Sequence, residues 1–145
     1  MNQLSNFDIE NIINKLGFNN IFNGCFLKDN IHELKTGFYI INLQSSKNGN
    51  GTHWCSLYVI NPNYSIWFDS FGFPPPIEIE KLLKKYNYNK MGIQNIDAST
   101  CGYYCIAFIK FMHGQSNPLK SLETFIKIFK PNTIYNDRIL KTLLY

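Results

Sequence analysis

The sequence of 145 residues lacks long hydrophobic runs and carries little charge. No stretch approaches the roughly 20 consecutive apolar residues of a transmembrane helix, so no membrane partner is expected. Charged residues make up 17% of the chain and the net charge is +4. That surplus is well short of the dense basic surface of a dedicated nucleic-acid-binding protein. Hydrophobic residues make up 45% of the chain and aromatic residues 16%, which excludes a disordered or fibrous protein and favours a packed domain.

Cysteine is also scarce, occurring only at Cys25, Cys55, Cys101 and Cys105. The sequence does not open with a cationic segment followed by an apolar one, so we expect no secretion and four free thiols. Cys101 and Cys105 do not have Cys-x-x-Cys spacing, and no second pair has the spacing of metal ligands. Neither a metal nor another cofactor is therefore expected.

The length leaves room for one domain, which is expected to cover residues 1–145. The Asn-rich residues 18–34 are expected to be mostly loop, and the polar, glycine-rich residues 44–51 a mobile loop. Elsewhere, hydrophobic spacing predicts helices over 6–16, 77–86, 102–113, 119–129 and 136–144, and strands over 38–43, 54–60, 64–69 and 88–94. This order favours an α+β fold with a central antiparallel sheet flanked by helices.

Cys101 lies where a predicted helix begins, directly after Ser99 and Thr100, which are both suitable N-cap residues. Backbone N–H groups exposed at a helix N-terminus favour the thiolate, which is the reactive form of cysteine. The position therefore suits a nucleophile. The alternative, an inert cysteine packed in the core, stays open.

His53 and Asp69 flank a predicted hairpin, with His53 before its first strand and Asp69 at the end of its second. In an antiparallel pair the start of one strand lies beside the end of the other, so these side chains can meet. Asp69 would then orient the imidazole and stabilise its charged form, while His53 takes the thiol proton of Cys101. Taken singly, each residue has a plainer interpretation, His53 as an exposed loop histidine and Asp69 as a turn former.

Three separated blocks of the sequence match the pattern of one protein family. They are Gly51-Thr52-His53-Trp54, Trp67-Phe68-Asp69-Ser70-Phe71-Gly72, and Gln94 followed by Cys101-Gly102-Tyr103-Tyr104-Cys105. With these blocks in this order, the chain resembles the adenain-type cysteine proteases (adenovirus maturation protease-like, clan CE). These proteases occur in DNA viruses, virophages and polinton-like elements and are distant relatives of the SUMO-specific proteases. The resemblance covers residues 6–113.

The resemblance implies a fold and a set of catalytic roles. The fold would be that of adenain and the SUMO proteases, with the nucleophile at a helix N-terminus. His53 would be the general base, Asp69 the orienting acid and Cys101 the nucleophile. Gln94 would be an oxyanion-hole donor, because an amide N–H and the backbone N–H of Cys101 can together stabilise negative charge on a substrate carbonyl oxygen.

The resemblance also implies a substrate class and a location. The substrates would be viral capsid or core precursor proteins, cut during virion maturation after a Gly-Gly or Gly-X-Gly-like motif. The protease, expected to be a monomer, would act in the virion and in the host-cell cytoplasm or viral factory. Three alternatives stay open: a deubiquitinase or deSUMOylase acting on host proteins, an acetyltransferase of the same clan, and a non-catalytic capsid-associated or DNA-binding protein.

The sequence departs from adenain in ways that leave activation open. Adenain is longer and carries Glu where this chain has Asp69, the residue type found in SUMO proteases. Adenain is also stimulated by DNA and by a viral peptide, which is bound partly through a disulfide. Neither Cys25 nor Cys55 can be matched to the peptide-linking cysteine, and a net charge of +4 is a slender basis for DNA stimulation.

Overall fold

The computed structural model describes residues 1–46 and 53–145. The predicted loop over 44–51 lies mostly outside the described residues, as do Gly51 and Thr52 of the first sequence block. The strands are β1 (Phe22–Leu27), β2 (Gly37–Asn42), β3 (Trp54–Asn61), β4 (Tyr64–Phe68) and β5 (Lys85–Tyr88). The α-helices are α1 (Asn6–Lys15), α2 (Ile77–Glu80), α3 (Cys101–Met112), α4 (Pro118–Ile128) and α5 (Asn136–Leu144). None of the described helices is long and apolar enough to span a membrane.

The strands form one mixed sheet in the order β1-β2-β3-β4-β5. The inner pairs, β2 with β3 and β3 with β4, are antiparallel as predicted. The outer pairs, β1 with β2 and β4 with β5, are parallel, so the prediction of an antiparallel sheet is wrong at both edges. Residues 28–36 connect β1 to β2, and residues 69–84 connect β4 to β5. Each connection carries the chain back along the sheet, so that the second strand runs in the same direction as the first, whereas a tight turn would have made the two strands antiparallel. The α+β class itself is confirmed.

Both edge strands differ from the sequence prediction. The predicted helix over 77–86 ends at Glu80, and the predicted strand over 88–94 is replaced by β5, which ends at Tyr88. Tyr64 of β4 pairs with Lys85, so pairing with a sheet edge prevails over the helical spacing of this segment. Residues 18–34 contain β1, a strand that is half-buried along its whole length. Such a strand has no alternation of buried and exposed residues for a sequence pattern to reveal.

The sheet buries both of its faces, because successive side chains of a strand point to opposite sides. On one face, Phe38 and Ile40 of β2 belong to the core cluster that α3 fills, where Phe68 and Phe108 stack with ring centroids 4.9 Å apart. On the other face, Tyr39 and Ile41 belong to a smaller cluster. Helix α3 is therefore the central helix of the fold, with nine of its residues buried.

The register of the central hairpin defines one end of the sheet. Ser56 of β3 pairs with Phe68 of β4, so the start of β3 and the end of β4 lie at the same end of the sheet. His53 directly precedes β3 and Asp69 directly follows β4. The first residue of α3, Cys101, reaches that end as well, since its Sγ accepts a hydrogen bond from the backbone N–H of Trp54 at 3.4 Å. Three of the predicted site residues therefore meet at one edge of the core.

Candidate active site

His53 and Asp69 form a hydrogen-bonded ion pair. His53 Nε2 lies 2.8 Å from Asp69 Oδ1, and the two side chains are 15% and 1% exposed. The imidazole also stacks on the ring of Phe71, with centroids 4.7 Å apart and an interplanar angle of 22°. The ring is thus held from its edge by a carboxylate and from one face by an aromatic side chain, which fixes its orientation.

The Asp69 carboxylate is held by its own loop, and the Asp69 backbone is held by a residue from a distant segment. The backbone N–H of Phe71 donates to Asp69 Oδ1 at 2.8 Å. Asn89, which is buried, accepts from the Asp69 backbone N–H at 3.1 Å and donates to its carbonyl oxygen at 2.6 Å. Sequence reasoning missed Asn89, because no local pattern connects a residue after β5 with the end of β4.

Cys101 is the first residue of α3 and is only 3% exposed. Thr100 occupies the N-cap position, but its side chain makes no capping hydrogen bond to the helix. The N–H groups of the first turn are therefore not occupied by a cap. They form the positive end of the helix dipole, which favours negative charge at Cys101, the first residue of the helix.

Gln94 is buried and its side chain is held at both ends. Its Oε1 accepts from the Ser70 hydroxyl at 2.5 Å, and its Nε2 donates to the Ala98 carbonyl oxygen at 2.8 Å. A primary amide has two N–H donors, so one remains for a ligand after the bond to Ala98. Both anchoring bonds orient the amide before any substrate binds.

A cleft of about 270 Å³ joins these groups at the surface. It is lined by Gln3, His53, Phe71, Gln94, Ile96, Ala98, Ser99 and Cys101. Three of the four predicted site residues thus line one cleft, and the fourth, Asp69, lies behind the imidazole. The arrangement provides a thiol, an imidazole and an amide donor around a single space.

The surroundings of His53 favour its charged form. Burial by itself lowers the pKa of His53, but hydrogen bonding to Asp69 and to Cys101 outweighs burial and raises the pKa from its usual value of 6.5 to about 9. An imidazolium at neutral pH stabilises a thiolate beside it. The site is therefore suited to a nucleophilic sulfur.

The other three cysteines are in surroundings that suppress their reactivity. Burial raises the pKa of the Cys25 thiol to about 12, helped by the nearby Glu10 carboxylate. Burial likewise raises the pKa values of Cys55 and Cys105 well above the usual value. All four thiols are free, so their reactivities can be compared in one protein.

We expect iodoacetamide at pH 6 to alkylate Cys101 well before Cys25, Cys55 or Cys105. Burial raises the pKa values of the other three thiols, whereas the sulfur of Cys101 lies beside the His53 ring at the cleft. Peptide mass mapping over a time course would measure the order of labelling. Prior labelling of any other cysteine in the folded protein would contradict the role of Cys101, and a sample denatured beforehand serves as the control in which selectivity should vanish.

Among the described residues, one cluster has the donor atoms of a metal site. Ligand atoms of His53, Cys55 and Asp69 lie within 4.8 Å of one another. However, His53 and Asp69 are hydrogen-bonded to each other, and burial keeps the Cys55 thiol protonated, whereas a metal needs the thiolate. The three residues are therefore poorly suited to bind a metal ion.

Two glycines allow the Asp69 loop to pack closely against the segment that leads to Gln94. Gly72 has a φ of +82°, and a Cβ there would lie 2.7 Å from the Gly92 backbone nitrogen. A Cβ on Gly92 would lie 2.9 Å from the Phe71 carbonyl oxygen. Backbone atoms cannot yield at such distances, so the approach of the two segments requires glycine at both positions.

Comparison with solved structures finds a protein with a similar fold. The crystal structure of the ASFV pS273R protease matches with a TM-score of 0.54 and 14% sequence identity, covering 97% of this chain. The fold is that of a viral protease. A second structure of the same protease, with selenomethionine, matches with a TM-score of 0.53 and 15% identity, again over 97% of this chain.

The similarity concerns the fold and not the whole of that protease. This chain spans 66% of the ASFV pS273R chain in both matches. The central domain of the uncharacterized Lpg1148 protein from Legionella pneumophila matches with a TM-score of 0.38 and 20% identity, over 94% of this chain and 76% of that one. That TM-score is too low to support an inference. No family model and no curated protein matches the sequence.

Proposed function

We propose that this chain is a cysteine endopeptidase in which Cys101 is the nucleophile, His53 the base, Asp69 the orienting acid and Gln94 an oxyanion-hole donor. The observation that carries the proposal is the half-buried His53–Asp69 pair at 2.8 Å next to a cysteine at the first position of α3. The adenain-type resemblance of the sequence and the fold shared with a viral protease both support it. The roles follow the general logic of a nucleophile, a base and a residue that orients the base.

The proposed reaction begins with attack of the Cys101 thiolate on the carbonyl carbon of the scissile peptide bond. The carbonyl electron pair moves to oxygen, and the Gln94 amide and the Cys101 backbone N–H stabilise the resulting oxyanion. The His53 imidazolium gives its proton to the departing amine, which leaves a thioester on Cys101. Water then attacks the thioester while His53 takes its proton, so that the acid product and the free thiolate are released.

We propose viral capsid or core precursor proteins as the substrates, cut after a Gly-Gly or Gly-X-Gly-like motif. The sequence resemblance suggests this class, and two features of the site support small residues at the cut. The nucleophile is 3% exposed and the cleft is small, with a volume of about 270 Å³. Glycine lets a backbone approach a recessed atom without a side-chain clash.

The direct test is incubation of the purified protein with the capsid and core proteins encoded in the same genome, followed by mass mapping of new termini. Cleavage after small residues supports the proposal. Parallel samples contain ubiquitin-like conjugates and an acetyl donor. Turnover of one of these and not of the capsid proteins would instead favour a deconjugating peptidase or an acetyltransferase.

The charge state of His53 predicts the pH dependence of cleavage. The pKa of about 9 lies above the usual value of 6.5, so the imidazolium is present below pH 9 and is lost as the pH rises through 9. We therefore expect kcat/KM for a peptide substrate to fall above about pH 9, with circular dichroism as a control for unfolding. A rate that still increases between pH 9 and pH 10 would contradict this assignment.

A further inference from the structure

The N-terminus of α5 contacts both segments that carry the proposed oxyanion-hole donors. Asn136 is fully buried, and its Nδ2 donates to the carbonyl oxygen of Ile93 at 2.7 Å. Asp137, the next residue, accepts from the hydroxyl of Thr100 at 3.1 Å and from that of Tyr104 at 3.0 Å. Ile93 directly precedes Gln94. Thr100 is the N-cap residue directly before Cys101, and Tyr104 lies one turn after Thr100 in α3.

Asn136 completes a clamp on the peptide bond that leads into Gln94. The carbonyl side of that peptide accepts from Asn136, and its N–H side, the backbone N–H of Gln94, donates to the Ser70 carbonyl oxygen at 3.0 Å. Asn136 is itself anchored to Lys130 by two bonds of 2.9 Å, one to its carbonyl oxygen and one from its N–H. A buried asparagine with these three bonds has a single orientation, which it imposes on the 93–94 peptide.

Asp137 holds the two hydroxyl groups at the first turn of α3, those of Thr100 and Tyr104. Threonine at an N-cap position ordinarily accepts a hydrogen bond from an N–H group of the first turn. Here the Thr100 hydroxyl donates to Asp137 instead, and Thr100 makes no capping bond. Thr100 therefore does not cap the N–H groups beside Cys101, and these groups can bind an oxyanion. Burial and the neighbouring carboxylate raise the pKa of Tyr104, so its hydroxyl remains a donor to Asp137.

We propose that Asn136 and Asp137 are positioning residues that hold the Gln94 amide and the first turn of α3 at the separation an oxyanion requires. Neither residue lines the cleft, so neither touches a substrate. Their effect acts through Gln94 and through the N–H groups at Cys101. This inference rests on the proposed peptidase function, because an oxyanion forms only when Cys101 attacks a carbonyl group.

The test compares two reagents that attack the same sulfur. A peptide aldehyde ending in Gly-Gly adds to Cys101 Sγ and forms a hemithioacetal whose oxygen occupies the oxyanion position. Iodoacetamide forms an S–C bond with loss of iodide and places no oxyanion there. A residue that positions the oxyanion hole should therefore reduce aldehyde affinity much more than it reduces the alkylation rate.

We expect Asp137→Ala to weaken binding of the aldehyde about 10- to 100-fold, since small displacements of catalytic donors cost that much. Asp137→Asn keeps an acceptor oxygen and should retain part of the affinity, and Thr100→Val should shift affinity in the same direction as Asp137→Ala. Arg138→Gln is the matched control, because Arg138 is the next residue of α5 and its guanidinium lies over the Tyr135 ring. It should bind the aldehyde like the parent protein.

Two results would overturn the inference while leaving the peptidase proposal intact. One is aldehyde affinity in Asp137→Ala and Thr100→Val equal to that of the parent. The other is a parallel loss of alkylation rate and aldehyde affinity, which would indicate a general structural role. A parent protein that is alkylated at Cys101 but does not bind the aldehyde would overturn the peptidase proposal and this inference together.

Discussion

Replacing Cys101 with alanine is expected to abolish cleavage of the cognate precursor, with a loss in kcat of about 10⁴-fold or more. The substitution removes the sulfur that would carry the acyl group, and Cys101 is the one cysteine among the described residues that line the cleft. The fold should persist, since alanine keeps the Cβ of Cys101 and the lost sulfur contacts, with the Trp54 N–H and the His53 ring, lie at the cleft. Product formation by mass spectrometry and the thermal unfolding midpoint are the measurements.

Cys25→Ala is the matched control for that variant. Cys25 is half-buried on the edge strand β1, and its sulfur donates a weak hydrogen bond to the Asn6 carbonyl oxygen at 3.9 Å. This variant should cleave at the parental rate. Cleavage that persists in Cys101→Ala would require another nucleophile and would remove Cys101 from the mechanism.

Substituting Asp69 with asparagine is expected to lower kcat/KM by about 10² to 10⁴-fold. Asparagine has nearly the same shape, but its uncharged side chain cannot stabilise the imidazolium. It can also offer its NH₂ group to His53 Nε2, which selects the wrong tautomer for a base. Steady-state kinetics across pH 5 to 10 would measure both effects.

The same variant should move the fall in activity at high pH toward lower pH. The Asp69 carboxylate is among the groups that raise the pKa of His53 to about 9, so its removal lowers that pKa and the imidazolium is lost earlier. Asp97→Asn makes the same chemical change on an exposed residue near the cleft and serves as the control. An Asp69→Asn protein with the rate and pH profile of the parent would show that Asp69 does not act on His53.

The elements that the sequence predicts correctly are those governed by local contacts. Ser5 and Asp8 predict the start of α1, and the structure has both bonds of a capping box, with Asp8 N–H donating to Ser5 Oγ at 3.1 Å and Ser5 N–H donating to Asp8 Oδ2 at 2.9 Å. The central hairpin has alternating apolar residues and a compact turn, and it forms as predicted. The edge strands β1 and β5 are stabilised by their pairing with β2 and β4, which single-segment spacing cannot reveal.

The residues of the candidate site also fall into two groups, those that the local sequence predicts and those that it does not. His53, Asp69, Gln94 and Cys101 stand at the ends of predicted elements, and the sequence pattern marks them before the structure brings them together. Their catalytic roles remain predictions. The residues that hold them in place, Asn89, Asn136 and Asp137, are separated from their partners by 20, 43 and 37 positions. An Asn or Asp at such a distance carries no local signal, because surface asparagines and aspartates are common.

The contact between Gly72 and Gly92 has a consequence for engineering. A Cβ at either position would lie under 3.0 Å from backbone atoms of the opposing segment, so a side chain at either position forces the two segments apart. A library randomised at both codons and sorted for soluble expression should return glycine at both sites. Retention of glycine at both positions would show that the Asp69 loop requires this close packing, and the experiment needs no substrate.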